Sequence, residues 1–248
     1  MNPTVAILCG GRGTRIARGE DDLPKPLVTV GGRPILWHVM ALYAAQGFTQ
    51  FLLLTGWQSE RVERAVHSFD QVNDGEWAVT LLDTGDDTPT GGRVAQARAW
   101  LEGGTFALTY ADGVADIDLN AELAFHRSEQ ALATIAVTRP SSPWGEARID
   151  DQDRITGFIE KPKLDEWING GFMFMEPGAL EYIGSDDVLE RRPLEELALA
   201  GELRAYRHEG FWDCMDTYKD TLELNQLCAE GTPPWLKIAA ATGRGDGR

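Results

Sequence analysis

Apolar runs of strand length alternate with segments of helical spacing at least four times before residue 139, and this alternation is what most restricts the fold. The strand-like runs are Val5 to Leu8, Phe51 to Thr55, Trp77 to Leu82, Phe106 to Tyr110 and Leu132 to Val137. Between them, apolar residues recur at helical spacing over Ile35 to Ala45, Glu60 to Ser68, Arg93 to Leu101 and Leu119 to Ser128. Such a chain is α/β: a mostly parallel sheet with helices on both faces, whose ligands bind beyond the carboxyl ends of the strands. Gly10, Thr55-Gly56, Asp83-Thr84 and Asp112 fall at those ends.

After Arg139 the texture changes, with Pro140, Pro143 and Gly145 followed by strand-like pieces at Glu146 to Ile149, Ile155 to Glu160 and Gly171 to Met175. Helices are expected at Pro177 to Ile183 and Pro193 to Ala200, a last strand at Leu203 to Tyr206, and a further helix at Tyr218 to Cys228. We expect one domain over 1–237, divided near 139 into a larger half and a smaller β-rich half (140–237). The tail 238–248 is expected to be disordered, since Thr242 to Arg248 offers nothing to bury.

Of the 248 residues 43% are apolar, enough for a sizeable core, yet no run approaches the ~18 apolar residues needed to cross a bilayer. The N-terminal residues lack the basic and apolar pattern of a signal peptide, so the expected location is cytoplasmic. Cys9, Cys214 and Cys228 are too scattered for a disulfide framework and read as reduced packing thiols. A net charge of −16 excludes general affinity for nucleic acid. Any anionic substrate must then be held by locally placed cations.

Such cations stand at the first strand end. Val5 to Leu8 empties into Gly10-Gly11-Arg12-Gly13-Thr14-Arg15, and Pro24-Lys25-Pro26 follows. Three glycines let backbone N–H groups approach an oxyanion, Thr14 adds a hydroxyl, and Arg15 and Lys25 supply the positive charge that a nucleoside triphosphate requires. A dinucleotide fingerprint would need glycine where Ile16 stands, and no Gly-Lys-Ser/Thr closes a Walker loop. The polar residues after Arg15 read as a long loop that ends only where Pro34 opens a helix.

Further along, Tyr110-Ala111-Asp112-Gly113 places a carboxylate at a strand end, and Met215-Asp216-Thr217 offers a second just before a helix. Two such groups can share one Mg2+, which takes carboxylate, phosphate and water oxygens; Asp216 also suits a helix N-cap. Lys161, fixed ahead of Pro162, suits a second phosphate, while Glu160 and Asn169 suit sugar hydroxyls. Thr90-Gly91-Gly92-Arg93 opens a helix where N–H groups and a guanidinium can meet an anion. His38, His67 and His126 read as packing or surface residues, and Trp144 is the tryptophan best placed for a pocket wall.

With these blocks assembled, the chain resembles the sugar-1-phosphate nucleotidylyltransferases, and most closely the glucose-1-phosphate cytidylyltransferases. The resemblance covers residues 3–237 and includes Leu8 to Arg15, Pro24-Lys25-Pro26, Gly31 to His38, Glu160-Lys161-Pro162, Asn169-Gly170-Gly171 and Gly210-Phe211-Trp212 with Met215-Asp216-Thr217. Asp83-Thr84-Gly85-Asp86, Thr90-Gly91-Gly92-Arg93 and Tyr110 to Asp116 resemble the cytidylyl branch, which implies CTP. The family implies a Rossmann-like mixed, mostly parallel sheet with a β-rich sugar-binding half. By resemblance, Leu8, Gly10, Gly11, Gly13, Thr14, Arg93 and Asp112 would hold the nucleotide, and Arg15 and Lys25 the triphosphate. Gly145, Glu160, Lys161, Asn169 and Gly170 would hold the sugar phosphate, and Asp112 with Asp216 the Mg2+. Between Trp57 and Asp83 the chain is shorter than those cytidylyltransferases, in a segment tied to their subunit assembly; a homo-oligomer is still expected. Trp144-Gly145-Glu146 stands where the family often has Phe-Gly before a small apolar residue.

The implied reaction is attack of a sugar 1-phosphate on the α-phosphorus of CTP, with Lys161 on the nucleophile and Arg15 and Lys25 on the departing pyrophosphate. The alternatives are another nucleotide or sugar phosphate, as in a natural-product pathway, and a regulator that binds sugar nucleotides without turnover. The presence of Lys25, Asp112 and Lys161 together argues against the regulator.

Overall fold

The computed structural model describes residues 2–11 and 23–241. Its elements in chain order are β1 (Val5–Leu8), β2 (Thr29–Val30), β3 (Arg33–Pro34), α1 (Ile35–Ala44), β4 (Gln50–Thr55), α2 (Ser59–Val66), α3 (Asp70–Asn73) and β5 (Ala78–Asp83). There follow α4 (Thr90–Gln96), α5 (Arg98–Leu101), β6 (Phe106–Tyr110), β7 (Gly113–Ala115), α6 (Leu119–Glu129) and β8 (Ala133–Thr138). The second half adds β9 (Glu146–Ile149), β10 (Ile155–Ile159), β11 (Ile168–Met175), α7 (Arg192–Leu199), β12 (Leu203–Arg207), β13 (Trp212–Cys214), α8 (Tyr218–Ala229) and α9 (Pro234–Ala241). The last helix thus runs beyond 237, where the domain was expected to end.

One seven-stranded sheet in the order β12-β8-β11-β6-β1-β4-β5 organises the molecule. All its pairings are parallel except those of β11, which runs antiparallel to both β6 and β8. The central strands are continuously apolar because both faces are covered. In β1, Val5 and Ile7 point into a core with α1, whereas Ala6 and Leu8 point into a second core with Val94 of α4 and Leu197 of α7. The expected mixed, mostly parallel sheet flanked by helices is therefore present, and the two halves share it: β8 from the first is flanked by β11 and β12 from the second.

The expected unbroken loop up to Pro34 contains structure. Lys25–Leu27 form a single 3-10 turn, and β2 pairs with β3 across Gly31 and Gly32, both at positive φ. A Gly-Gly pair between short strands is a hairpin signal, and here it breaks the loop. The helix expected over Arg93 to Leu101 begins at Thr90 and breaks at Ala97 into α4 and α5, and Pro177–Tyr182 is a 3-10 helix.

Antiparallel β11 has a consequence for position. Its amino end, with Asn169, lies at the sheet edge where β1, β4, β5 and β6 finish. The histidines are structural: buried His38 hydrogen-bonds the Val30 carbonyl and accepts from Trp235, and buried His126 meets Thr134. No helix among the described residues is long and apolar enough to cross a membrane.

Candidate active site

A cleft of about 510 Å3 opens at the carboxyl ends of β1 and β6. Leu8, Gly10, Gly11, Lys25, Arg93, Tyr110, Asp112 and Asp216 contribute to its lining. Gly13, Thr14 and Arg15, expected in the phosphate cradle, lie outside the described residues, as does Arg12.

Asp112 stands in the two-residue turn, Ala111-Asp112, that joins β6 to β7. β7 pairs antiparallel with β13, placing Gly113 opposite Cys214, and the Met215 N–H donates to the Asp112 carbonyl at 3.0 Å. This ribbon is what carries Asp216 to Asp112. Thr217, not Asp216, caps α8, in a reciprocal capping box with Asp220. The Asp216 carboxylate is thereby left to face the cleft, where its Oδ2 is 3.6 Å from the Cys214 thiol.

Lys25 stands between the two carboxylates. Its Nζ lies 2.6 Å from Asp216 Oδ1 and also contacts Asp112 Oδ2. Burial alone would lower its pKa; attraction to Asp112, seconded by Asp216, more than offsets this, so the ammonium is held above its ordinary value. The neighbouring thiols of Cys9 and Cys214 are raised, chiefly by burial, and stay protonated. A buried thiol with a raised pKa is not a nucleophile.

The expected anion site at Thr90-Gly91-Gly92-Arg93 is occupied by the protein itself. Arg93 is only 4% exposed. Its guanidinium donates to the carbonyls of Thr55 (2.7 Å), Gly85 (2.9 Å), Gly10 (3.1 Å) and Asp86 (3.3 Å), and to the Thr84 hydroxyl. The Gly92 N–H donates to the Asp187 carbonyl. Arg93 therefore ties together the ends of β1, β4 and β5, and it requires glycine at position 10: a Cβ there would sit 2.1 Å from its Cζ. Gly91 and Gly92 serve a different approach, since their Cβ atoms would strike the Asp187 and Ser185 carbonyls at 2.7 and 2.2 Å.

The sugar-side candidates are only partly assembled. Asn169 Oδ1 accepts from the Gly171 N–H at 2.8 Å, and the ring of Tyr110, at the cleft, packs against Gly171. Gly170 packs against the Ala136 carbonyl and accepts from Trp212 Nε1 at 2.7 Å. Gly145, Glu160 and Lys161 flank the open end of the β9–β10 ribbon and do not line the cleft. Trp144, expected as a pocket wall, is 75% exposed there, because the segment leading into β9 lies outside the seven-stranded sheet. Missed by the sequence were Thr88 and Val188, which line the cleft, and Glu190, which reaches Tyr110; their loops, Gly85-Asp86-Asp87 and Gly184-Ser185-Asp186-Asp187, read as polar turns.

Residues 4–214 match the family model described as nucleotidyl transferase. A glucose-1-phosphate cytidylyltransferase of Salmonella typhi is 37% identical over 250 residues, covering 92% of this chain and 97% of that one. The "probable glucose-1-phosphate cytidylyltransferase" of Bacillus subtilis is 38% identical over 248 residues with the same coverage. Among solved structures, HddC of Yersinia pseudotuberculosis superposes with a TM-score of 0.71 at 21% identity, covering 92% of this chain and 99% of its own. A cleft at the carboxyl ends of a mixed sheet, a family match over residues 4–214 and relatives covered over 97% of their length lead to one conclusion: the chain belongs to the nucleotidyl transferase family.

Proposed function

We propose that the protein transfers a cytidylyl group from CTP to a sugar 1-phosphate, with glucose 1-phosphate the first substrate to consider. A phosphate oxygen of the sugar phosphate forms a bond to the α-phosphorus of CTP in line. The bond from that phosphorus to the bridging oxygen breaks, and pyrophosphate leaves with the electron pair. The observation that carries the reading is the convergence of Lys25, Asp112 and Asp216 in a glycine-floored cleft.

Two carboxylates already gathered on one ammonium are a fit for a cation, and Asp112 with Asp216 would hold Mg2+. When bound, it would neutralise phosphate charge. The chain's own groups do the rest. Like charges 4 Å apart repel by about 1 kcal/mol in water and several-fold more in a drier site, so the reactants need cations on both sides. Lys25 serves the triphosphate, and Arg15 is assigned to the same duty. Lys161 is assigned to the sugar phosphate, with Glu160 and Asn169 on sugar hydroxyls. Arg93 acts by fixing Gly10 against the nucleotide rather than by meeting the anion. A sugar phosphate is already ionised near neutral pH, so no general base is required.

We further infer a homo-oligomer acting in the cytoplasm. Supporting the first is the ribbon face formed by Ile149, Ile155 and Phe158, each 63–65% exposed. Three free cysteines suit a reducing compartment. The deciding experiment is pyrophosphate release with Mg2+ and glucose 1-phosphate across CTP, UTP, dTTP, ATP and GTP. Release dominated by CTP is expected; equal release with all five, or none, would overturn the cytidylyl assignment.

A further inference from the structure

The segment Gly184 to Arg191 crosses directly over the start of α4. Asp187 anchors it, accepting the Gly184 N–H at 2.7 Å and pairing with Arg192. The Gly92 N–H then donates to the Asp187 carbonyl, and the Leu189 N–H donates to Thr90 Oγ1 at 2.9 Å. With that lone pair engaged, the Thr90 hydroxyl donates onward to Glu190 Oε2 at 2.8 Å. The other oxygen, Glu190 Oε1, accepts from the Tyr110 hydroxyl. Tyr110 is a cleft residue two positions before Asp112, and its ring is pressed against Gly171, where a Cβ would come within 2.9 Å of Cδ2. Asn169 Oδ1 accepts the Gly171 N–H at 2.8 Å, so the Tyr110 ring rests on backbone that Asn169 holds.

One carboxylate outside the cleft lining therefore joins α4, on the Arg93 side, to β6 and, through the phenol, to the start of β11. We propose that Glu190 is a positioning residue: by accepting from Thr90 and Tyr110 at once, it fixes Tyr110 against Gly171 and thereby places Asn169, which meets the sugar of the sugar 1-phosphate. This rests on the transfer reaction proposed above and names a residue that the reaction itself does not require. The chemistry favours a carboxylate, because one O–H donor arrives at each of its two oxygens, and an amide would turn its NH2 toward one of them. Glu190 touches no reacting atom, so its effect belongs in substrate affinity rather than in turnover.

The test is steady-state kinetics of Glu190→Ala, Glu190→Gln, Tyr110→Phe and Glu190→Ala/Tyr110→Phe, with thermal midpoints alongside. Glu190→Ala is expected to raise KM for the sugar phosphate about tenfold, while kcat and the nucleotide KM stay within about threefold. Tyr110→Phe should match it, the double variant should be no worse than the poorer single one, and Glu190→Gln should recover part of the loss. An unchanged sugar KM, additive effects in the double variant, or parallel losses in both KM values with a lowered thermal midpoint would overturn the assignment. Wild-type protein that releases no pyrophosphate with any nucleotide would instead overturn the transfer reaction beneath it.

Discussion

Lys25 Nζ and Asp216 Oδ1 lie 2.6 Å apart although 191 positions separate them in the chain. The contact exists because the β7–β13 ribbon brings the residues before α8 back to the end of β6. The two carboxylates expected to share Mg2+ here flank an ammonium of the protein itself.

Replacing that ammonium exposes what it was balancing. Lys25→Met leaves Asp112 and Asp216 facing each other, and their partial exposure limits the loss of stability to about 1–2 kcal/mol. Added Mg2+ should recover it, so the thermal midpoint of the variant is expected to climb with Mg2+ more steeply than that of the wild type. Identical responses would mean that the carboxylates do not share a divalent ion.

Arg93 and Gly10 should fail together. Arg93→Lys strips most of the guanidinium bonds from the ends of β1, β4 and β5, with an expected loss of about 2–4 kcal/mol in urea unfolding. Gly10→Ala drives a methyl into the same guanidinium and is expected to be at least as harmful. A stable, fully active Gly10→Ala would show that Arg93 does not hold the loop.

The two substrate-side charges should separate kinetically. Lys161→Ala is expected to raise the sugar phosphate KM with little change in kcat, and Asp216→Asn to lower kcat about 100-fold or more at saturation. Wild-type kinetics in both would remove them from the site.

Glu122 of α6 is fully buried, and neither carboxyl oxygen makes a well-aligned hydrogen bond among the described residues. Burial pushes its pKa up to about 8, with the Ala136 backbone offsetting part of the rise. Tyr43 and Tyr206, the phenols whose pKa values its charge raises, offer no cation. The folded protein thus holds a proton that the unfolded chain releases above the ordinary 4.5. Its contribution is complete below pH 4.5 and is lost as pH rises toward about 8, on the order of 5 kcal/mol. Glu122→Gln should flatten the urea midpoint between pH 5 and 8; an unchanged slope would place the titration elsewhere.

The apolar ribbon face predicts assembly. Phe158→Asp puts charge at its centre and is expected to lower the sedimentation coefficient toward that of a monomer. If wild type and variant sediment alike, that face is not an interface.

Much of this was legible because β1, β4 and β6 are short apolar runs closed within two residues by a glycine or aspartate. Val5–Leu8, Phe106–Tyr110 and Glu146–Ile149 appear as read. Asp112 and Asp216 were recognisable as residue types, but their meeting depends on a three-residue ribbon too short to leave a periodic signal. Arg93 illustrates the opposite failure. A glycine-backed arginine at a helix start looks like an anion site, and only the structure reveals that carbonyl oxygens of the protein's own loops consume it. Glu190 gave no sign, since a carboxylate among surface charges is distinguished solely by the hydroxyls that reach it.

Antiparallel β11, wedged between β6 and β8, also dictates when the molecule can become whole. As the chain leaves the ribosome, β1, β4, β5 and β6 can pair, yet the β6 edge stays open and β8 has no neighbour until residues 168–175 and then 203–207 arrive. A fragment cut at residue 139 would carry raw edges on both strands and be drawn to aggregate. The exposed turn from Asp150 to Arg154 interrupts none of these ladders. Two pieces divided there, made in one cell, would have to find each other before either held a complete cleft.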